Sequence, residues 1–162
     1  MSTSTQPRIS ISSDAREQYR AMIALDRANH AADIDPRLHE LVKIRASQIN
    51  GCAYCIDMHS KDARALGETE QRLYALDAWR ETPFYTDKER AALAWTEAIT
   101  MVSESHVPDE VFAEVKKHFS EKEIVDVTLV AGMINLWNRI AIPMRAVPGI
   151  YQPSHAAPAS AQ

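Results

Sequence analysis

The sequence contains little glycine and little cysteine, and these shortages exclude some classes of protein. Only four of its 162 residues are glycine, and only two, Cys52 and Cys55, are cysteine. Two cysteines are too few for the disulfide framework of a small secreted protein. The two residues between them also enclose too short a loop for a stabilising crosslink. In a reducing compartment, a pair of this kind is more often catalytic or metal-binding.

Long apolar runs and basic blocks are also missing. No uninterrupted apolar run approaches the roughly 18 residues that a membrane-spanning helix needs, and the first residues, MSTSTQPRIS, lack the charged and then apolar plan of a secretion signal. The formal net charge is −4, which argues against nucleic acid and against an anionic membrane surface as partners. We therefore expect a soluble cytoplasmic protein whose partners are small molecules or proteins.

The composition predicts an all-α protein with one domain. A chain of this length with 46% apolar residues can bury one core of useful size. Apolar residues recur at spacings of three and four, and no segment shows the alternation of a half-buried strand. We predict about six to seven helices in a single domain over residues 13–142. A flexible arm over 1–12 and a proline-rich tail over 143–162 are expected to flank this domain.

Residues at the predicted helix ends support this division. One helix is predicted to begin at Pro36, which fits a first helical turn, and to end at Gly51. The next is predicted to begin around Cys52 and to end before Gly67. Two later helices open with the sequence form of a capping box, and the residue pairs are Thr86 with Glu89 and Ser120 with Glu123.

The last predicted helix, KEIVDVTLVAGMINLWNRIAI, is the most apolar segment of the chain. Because its apolar residues cover more than one face, it should lie either in the centre of the domain or in a subunit interface. We therefore expect a homo-oligomer. The tail that follows contains four prolines that are expected to prevent regular structure: Pro143, Pro148, Pro153 and Pro158.

The stretch NGCAYCIDMH, residues 50–59, carries the candidate catalytic residues. On a helix, Cys52 and Cys55 are one turn apart and His59 lies one turn beyond Cys55, so the three side chains share one stripe. Unpaired N–H groups at a helix N-terminus favour a thiolate and lower the pKa of a cysteine. The thiolate is the nucleophilic form, and His59 is placed to accept the proton of Cys55. The spacing therefore favours a redox-active dithiol.

Glu40 is the candidate residue for orienting His59 or passing its proton on. If the helix of Glu40 packs antiparallel across the tight turn at Gly51, its carboxylate faces the stripe of the cysteines. The alternative is a structural residue, either a solvated carboxylate on the helix surface or the partner of an ion pair with Lys43 or Arg64. The sequence leaves both roles open.

Two other interpretations of the cysteine pair also stay open. The thiols can be buried apolar groups without reactivity. They can also bind zinc, with Glu40 completing a set of two thiolates, one imidazole and one carboxylate. The remaining histidines are not expected in the site: His39 should lie on a different face from Glu40, and the four expected at the surface are His30, His106, His118 and His155.

These residues give the chain a resemblance to a known family. The stretch ELVKIRASQINGCAYCIDMHSKDARALGE, which begins at Glu40, resembles the alkylhydroperoxidase D-like branch of the carboxymuconolactone decarboxylase superfamily, as do YALDAWRETPFYTDKERAALAWTEAIT and LWNRIAI. The resemblance extends over most of the chain, from Ile34 to Ala141. It implies an all-helical fold, a trimeric or hexameric assembly, and the reduction of hydroperoxides through a reversible dithiol/disulfide cycle.

The resemblance also implies a role for each candidate residue. By position, Cys55 resembles the peroxide-attacking cysteine, Cys52 the resolving cysteine, and His59 and Glu40 the proton relay. The implied cycle converts Cys55 to a sulfenic acid, which Cys52 captures as a disulfide. An external dithiol of lipoyl or thioredoxin type must then reopen the disulfide, and neither a metal nor a flavin is required.

Tyr54 is a departure from this family. Some members have a histidine of the relay directly before the second cysteine, whereas a phenol with a pKa near 10 is a poor proton shuttle near pH 7. Two other functions therefore stand beside the peroxidase. One is a lactone decarboxylase or isomerase that needs acid and base residues but no thiol pair. The other is a redox sensor in which the cysteines control assembly without turnover.

Overall fold

Helices make up all the regular structure that the computed structural model describes, which covers residues 6–30 and 34–153. The nine α-helices in these two ranges are α1 (Ile11–Asp14), α2 (Arg16–His30), α3 (Pro36–Asn50), α4 (Ala53–Ala65), α5 (Glu70–Ala75), α6 (Asp87–Thr100), α7 (Val102–Ser105), α8 (Asp109–His118) and α9 (Glu121–Met144). A 3₁₀ helix, Leu76–Glu81, follows α5 directly. The prediction of an all-α protein is confirmed, and the seven helices longer than four residues match the expected number.

The predicted helix ends are also found. Pro36 occupies the first turn of α3, and Gly51 ends this helix with a φ of 71°, a left-handed conformation that glycine adopts without strain. Helices α6 and α9 both begin with complete capping boxes, in which each side chain bonds the main chain of the other residue, and the pairs are Thr86 with Glu89 and Ser120 with Glu123. These local signals define where the longer helices start.

Helix α3 lies at the centre of the molecule and packs against α4, α6 and α9. Leu38 and Val42 join an apolar cluster with residues of α6, α8 and α9. Leu41 and Ile44 join a second cluster with residues of α4, α6 and the 3₁₀ helix. Burying each of these side chains contributes about 1.5–3 kcal/mol. Since α3 is covered on several sides, polar side chains that it carries are also removed from water.

Helix α9 continues further than the sequence analysis predicted. Pro143 was expected to prevent regular structure, but it lies inside the last turn of α9, which ends at Met144. Proline lacks an N–H group and so removes one main-chain hydrogen bond, which a helix tolerates when it stops a residue later. The left-handed Arg145 then closes the helix, and the N–H of Ala146 donates to the carbonyl of Ala141 at 2.9 Å.

The segments on either side of the domain contact it within the described residues. In the arm, the N–H of Arg8 donates to the carbonyl of Met144 at 3.0 Å. In the tail, the N–H of Gly149 donates to Asp57 of α4 at 2.9 Å. The rest of the arm and tail, with His155 and Pro158, lies outside the described residues.

Helix α9 has the length and composition of a membrane-spanning helix, the only such helix among the described residues. Core helices of water-soluble proteins share these properties. Val127, Val130 and Ile134 of α9 are buried within the domain, so packing against α3 and α6 accounts for the apolar residues on this side of the helix.

Candidate active site

Both cysteines lie at the start of α4, directly after the turn at Gly51. Cys52 is the N-cap residue of α4, and Cys55 lies in its first turn, as the sequence predicted. The N–H of Cys52 donates to the carbonyl of Ser47 at 2.9 Å, which fixes the start of α4 against the end of α3. Both cysteines are free thiols and buried, with 1% of Cys52 and 3% of Cys55 exposed.

A hydrogen bond between the two thiols separates their acidities. The Cys55 side chain, aided by the N–H groups of Cys55 and Tyr54 at the N-terminus of α4, lowers the pKa of Cys52 to about 7 against the opposing effect of burial. The same contact with Cys52, together with burial, raises the pKa of Cys55. The first negative charge therefore resides on Cys52. Cys55 needs a base to lose its proton, which is the role predicted for His59.

Asn138 of α9 supports this sulfur pair, and the sequence analysis missed it. Its fully buried side chain hydrogen-bonds both sulfurs, and in each case the contact lowers the thiol pKa. Its Nδ2 also donates to Ser47 Oγ at 3.1 Å, and its Oδ1 accepts a hydrogen bond from Asn50 at 2.8 Å. A buried amide needs such partners. An asparagine within the most apolar predicted helix was the available signal.

His59 and Glu40 form the predicted pair. His59 Nδ1 lies 2.7 Å from Glu40 Oε2, and both residues are buried. Helices α3 and α4 pack against each other on either side of the turn at Gly51. This packing places the Glu40 carboxylate against the Nδ1 side of the His59 ring. The other ring nitrogen of His59, Nε2, does not bind Glu40 and can therefore exchange a proton with a neighbouring group. A carboxylate that fixes a histidine in this way selects its tautomer and holds its ring in place.

Glu40 belongs to a larger polar cluster. Its Oε1 lies 3.6 Å from Nζ of the buried Lys43 and 3.4 Å from His39 Nδ1. Burial opposes ionisation, but the hydrogen bonds from His39 and His59 and the charge of Lys43 outweigh it and hold the pKa of Glu40 well below its usual range. Glu40 therefore makes both contacts that the sequence left open, one with His59 and one with Lys43.

One histidine is placed differently from the prediction, and another has partners that the sequence did not predict. His39 was expected on a different face, yet it is buried beside Glu40. His30 is exposed as predicted, but its Nε2 lies 2.9 Å from Lys43 Nζ, and its ring lies 4.4 Å from that of His39. The buried Lys43 explains both positions, because its ammonium group draws polar side chains around it.

Cys55 and His59 line the same cavity, which has a volume of about 300 Å³. Its walls are mainly apolar and aromatic and include Ile23, Tyr54, Met58, Ile134, Trp137 and Tyr151. Cys52 does not line this cavity. It lines a separate, more open groove of about 480 Å³ with Ala141, Ile142 and Arg145. The two cysteines therefore border different spaces.

Tyr54 lies at the boundary between these two spaces and lines both. Burial, followed by the nearby charge of Cys55, raises the pKa of its phenol. Tyr54 therefore keeps its proton at neutral pH and can donate a hydrogen bond.

Within the part of the chain that the structure describes, two groups of side chains have the spacing of metal ligands, and neither contains a sulfur. They are His30 with His39 and Glu40, and Glu40 with His59 and Asp62. In the first group, the ammonium of Lys43 already lies between the imidazole of His30 and the carboxylate of Glu40. Among the described residues, the zinc set of two thiolates, one imidazole and one carboxylate is not brought together as ligands.

Comparisons with known proteins identify the family to which this sequence is similar. Residues 16–98 match the sequence model of the carboxymuconolactone decarboxylase family. The uncharacterized protein YdfG of Bacillus subtilis is 46% identical over 137 residues, which cover 85% of this chain and 93% of YdfG.

Two solved structures share the fold. One, from Agrobacterium tumefaciens, is named as a protein of unknown function and a candidate antioxidant defence protein AhpD. It is 40% identical with a TM-score of 0.87, over 90% of this chain and 100% of that one. The debrominase Bmp8 has a TM-score of 0.73 at 22% identity, over 84% of this chain and 73% of its own. At that identity the likeness shows the fold alone.

Proposed function

This chain belongs to the carboxymuconolactone decarboxylase family and has the AhpD-like helical fold, and we propose that it is a thiol-dependent hydroperoxide reductase. One observation carries the proposal. Two free thiols lie at the start of α4, and one of them, Cys55, lines a mainly apolar cavity together with His59, which is held by the buried carboxylate of Glu40. A lactone enzyme would need the acid and base residues but would have no use for the second sulfur.

The first step consumes the hydroperoxide at Cys55. His59 takes the Cys55 proton, and the thiolate attacks the terminal oxygen of R–O–O–H as the O–O bond breaks. The departing alkoxide receives the proton from His59 and leaves as an alcohol. Cys55 is then a sulfenic acid, so sulfur has been oxidised by two electrons and the peroxide reduced by two. Glu40 stabilises the protonated His59 between these proton transfers.

The second step uses the lower pKa of Cys52. Its thiolate attacks the sulfenic sulfur of Cys55, a disulfide forms, and the hydroxide that leaves takes up a proton to become water. Because the pKa of Cys52 is about 7, the resolving sulfur is already nucleophilic near neutral pH. The assignment of Cys55 as the attacking cysteine is supported instead by the cavity that Cys55 lines together with His59.

An external dithiol completes the cycle. It attacks the disulfide, becomes a disulfide itself and returns both cysteines to thiols. The groove at Cys52, apart from the peroxide cavity, supports access for a dithiol of lipoyl or thioredoxin type. A reducing compartment such as the cytoplasm would keep this donor reduced.

A single-turnover experiment tests the proposal. Reduced protein mixed anaerobically with one equivalent of cumene hydroperoxide should yield one equivalent of alcohol, lose both thiols and contain an internal disulfide between Cys52 and Cys55, detected by thiol titration and peptide mass spectrometry. Protein whose thiols were alkylated beforehand is the control. Unchanged thiols and unconsumed peroxide would overturn the proposal, and conversion of a muconolactone by the Cys52→Ser/Cys55→Ser variant would favour the lactone enzyme.

We also propose that the protein is a homo-oligomer, a trimer or a hexamer, that associates through α9. Val125, Leu129 and Leu136 are 42–56% exposed, and their spacing of four and seven residues places them on one face. Gly132 lies on the same face, with open space around it, so another copy can approach closely. This face is apolar enough to be covered by a second copy of the chain.

Light scattering should therefore give a mass three or six times that of one chain. Leu129→Glu with Leu136→Glu should lower this mass, because two carboxylates on the contact face oppose association. Val102→Glu introduces the same charge at an exposed apolar residue of α7 and should leave the mass unchanged. A parental mass equal to one chain would contradict the proposal.

A further inference from the structure

Tyr151, in the tail after α9, forms part of the wall of the reaction cavity. Its side chain lines the same cavity as Cys55 and His59, although it is distant from both in the sequence. It also lines a second cavity of about 640 Å³, whose polar lining includes Glu40, Asp62 and Arg27. The ring of Tyr151 therefore lies between an apolar space, which contains the reactive sulfur, and a polar one.

Hydrogen bonds to α4 hold Tyr151 in this position. Its hydroxyl donates to Asp62 Oδ1 at 2.7 Å. Its carbonyl accepts from Lys61 Nζ at 3.1 Å, and the N–H of Gly149 donates to Asp57 at 2.9 Å. Lys61 and Asp57 also form an ion pair with each other at 2.9 Å. The tail is thus anchored at both its main chain and its side chain.

The remaining walls define what the cavity can accept. Ile23, Met58 and Trp137 offer apolar surface, and 300 Å³ is at the small end of the range for ligand sites. Asp26 is the carboxylate that lines this cavity among the described residues, and it opposes an anionic ligand. A compact, uncharged apolar group fits such a space, whereas a long chain would need the space on the far side of Tyr151.

We propose that Tyr151 is a specificity-determining residue, which limits access to Cys55 to compact, uncharged apolar molecules by separating the reaction cavity from the polar cavity beside it. The identity of these molecules as hydroperoxides rests on the proposed function. The limit on size and charge concerns access to Cys55 itself, so it can be measured with reagents that are not peroxides.

The experiment compares alkylation of Cys55 by a small and a bulky reagent. In a Cys52→Ser background, which leaves Cys55 as the single thiol, second-order rate constants are measured with iodoacetamide and with N-(1-pyrenyl)maleimide. Tyr151→Ala should raise the ratio of the bulky to the small rate constant by about tenfold or more, the scale at which a filled apolar pocket discriminates between ligands. Tyr151→Phe keeps the ring and should leave the ratio within about threefold.

Tyr74→Ala is the matched control, because this tyrosine of α5 is 79% exposed and lines neither cavity beside Tyr151. Circular dichroism would establish that each variant is folded. An unchanged ratio in Tyr151→Ala would overturn the proposal, as would an equal rise with both reagents, which indicates general loosening.

Peroxide kinetics separate this proposal from the proposed function. Tyr151→Ala should lower the KM for a long-chain hydroperoxide ester more than that for cumene hydroperoxide. If the parental protein consumes no hydroperoxide but the alkylation ratio changes as expected, the proposed function fails while the role of Tyr151 stands. If peroxides are consumed and neither the ratio nor KM changes, only the role of Tyr151 fails.

Discussion

Replacing Cys55 with serine is expected to abolish hydroperoxide consumption by the reduced protein. A hydroxyl group is a far weaker nucleophile than a thiolate, and it cannot form the sulfenic acid on which the cycle depends. The second-order rate constant should fall by about 10³-fold or more. Stopped-flow measurement with cumene hydroperoxide, with circular dichroism to verify folding, checks this result.

Cys52→Ser is the matched control, and its expected behaviour is different. It should react once with peroxide, because Cys55 and His59 still line the cavity, and then stop at a sulfenic acid that a dimedone-type reagent can trap. This comparison is a stringent test of the two roles, because the thiol with the lowered pKa is Cys52 and not the proposed attacking cysteine. If Cys55→Ser reacted rapidly with peroxide while Cys52→Ser was inert, the two sulfurs would have exchanged roles.

Replacing Glu40 with alanine is expected to lower the free energy of unfolding by about 3–5 kcal/mol, because it leaves the ammonium of Lys43 buried without its carboxylate. Both side chains of this ion pair are only 3% exposed. The same change should slow the reaction of Cys55 with peroxide by about 10²–10⁴-fold, the usual contribution of acid–base catalysis, since His59 loses the carboxylate that orients it. Urea denaturation and stopped-flow kinetics measure the two effects.

The pH dependence of stability should change with this variant. The pKa of Glu40 in the folded protein lies below its usual range, so its contribution is complete above the unfolded value of about 4.3. It is lost as the pH falls from there towards the folded pKa. The parental protein should therefore lose stability more steeply than Glu40→Ala below about pH 4.3.

Glu97→Ala separates a structural effect from a catalytic one. Glu97 of α6 is also buried, accepts a hydrogen bond from Trp79 Nε1 at 2.8 Å and pairs with Arg45 at 2.7 Å. Its loss should destabilise the protein while leaving the rate at Cys55 close to the parental value. A parental peroxide rate in Glu40→Ala would remove Glu40 from the relay.

The sequence predicted the parts of the site that are close together in the chain. Gly51, Cys52 and the spacing to His59 define a turn and a helix start through local chemistry, and the turn then brings Glu40 to His59. Both residues that the sequence analysis missed, Asn138 and Tyr151, reach the site from segments about 80 to 90 residues further along the chain. No local pattern specifies such contacts, because they depend on how α9 and the tail pack.

The pKa values of the two thiols also could not be predicted from the sequence. Helix position alone favours a thiolate somewhere in the pair, but the division of charge depends on a hydrogen bond between Cys52 and Cys55 and on Asn138. The predicted position of His39 was wrong for a related reason. Its burial follows from Lys43 being drawn inside by Glu40, a charge arrangement that apolar periodicity does not describe.

The single left-handed residue between α3 and α4 gives this architecture a modular character. The cysteine pair, His59 and Glu40 all lie in one helical hairpin, whereas most of the wall of the neighbouring space comes from α2, α9 and the tail. Mutations at wall residues of those outer segments, which do not include Asn138, can therefore change which molecules fit while the residues proposed for the redox chemistry stay in place. A fold divided in this way can acquire new substrates without having to reinvent its reaction.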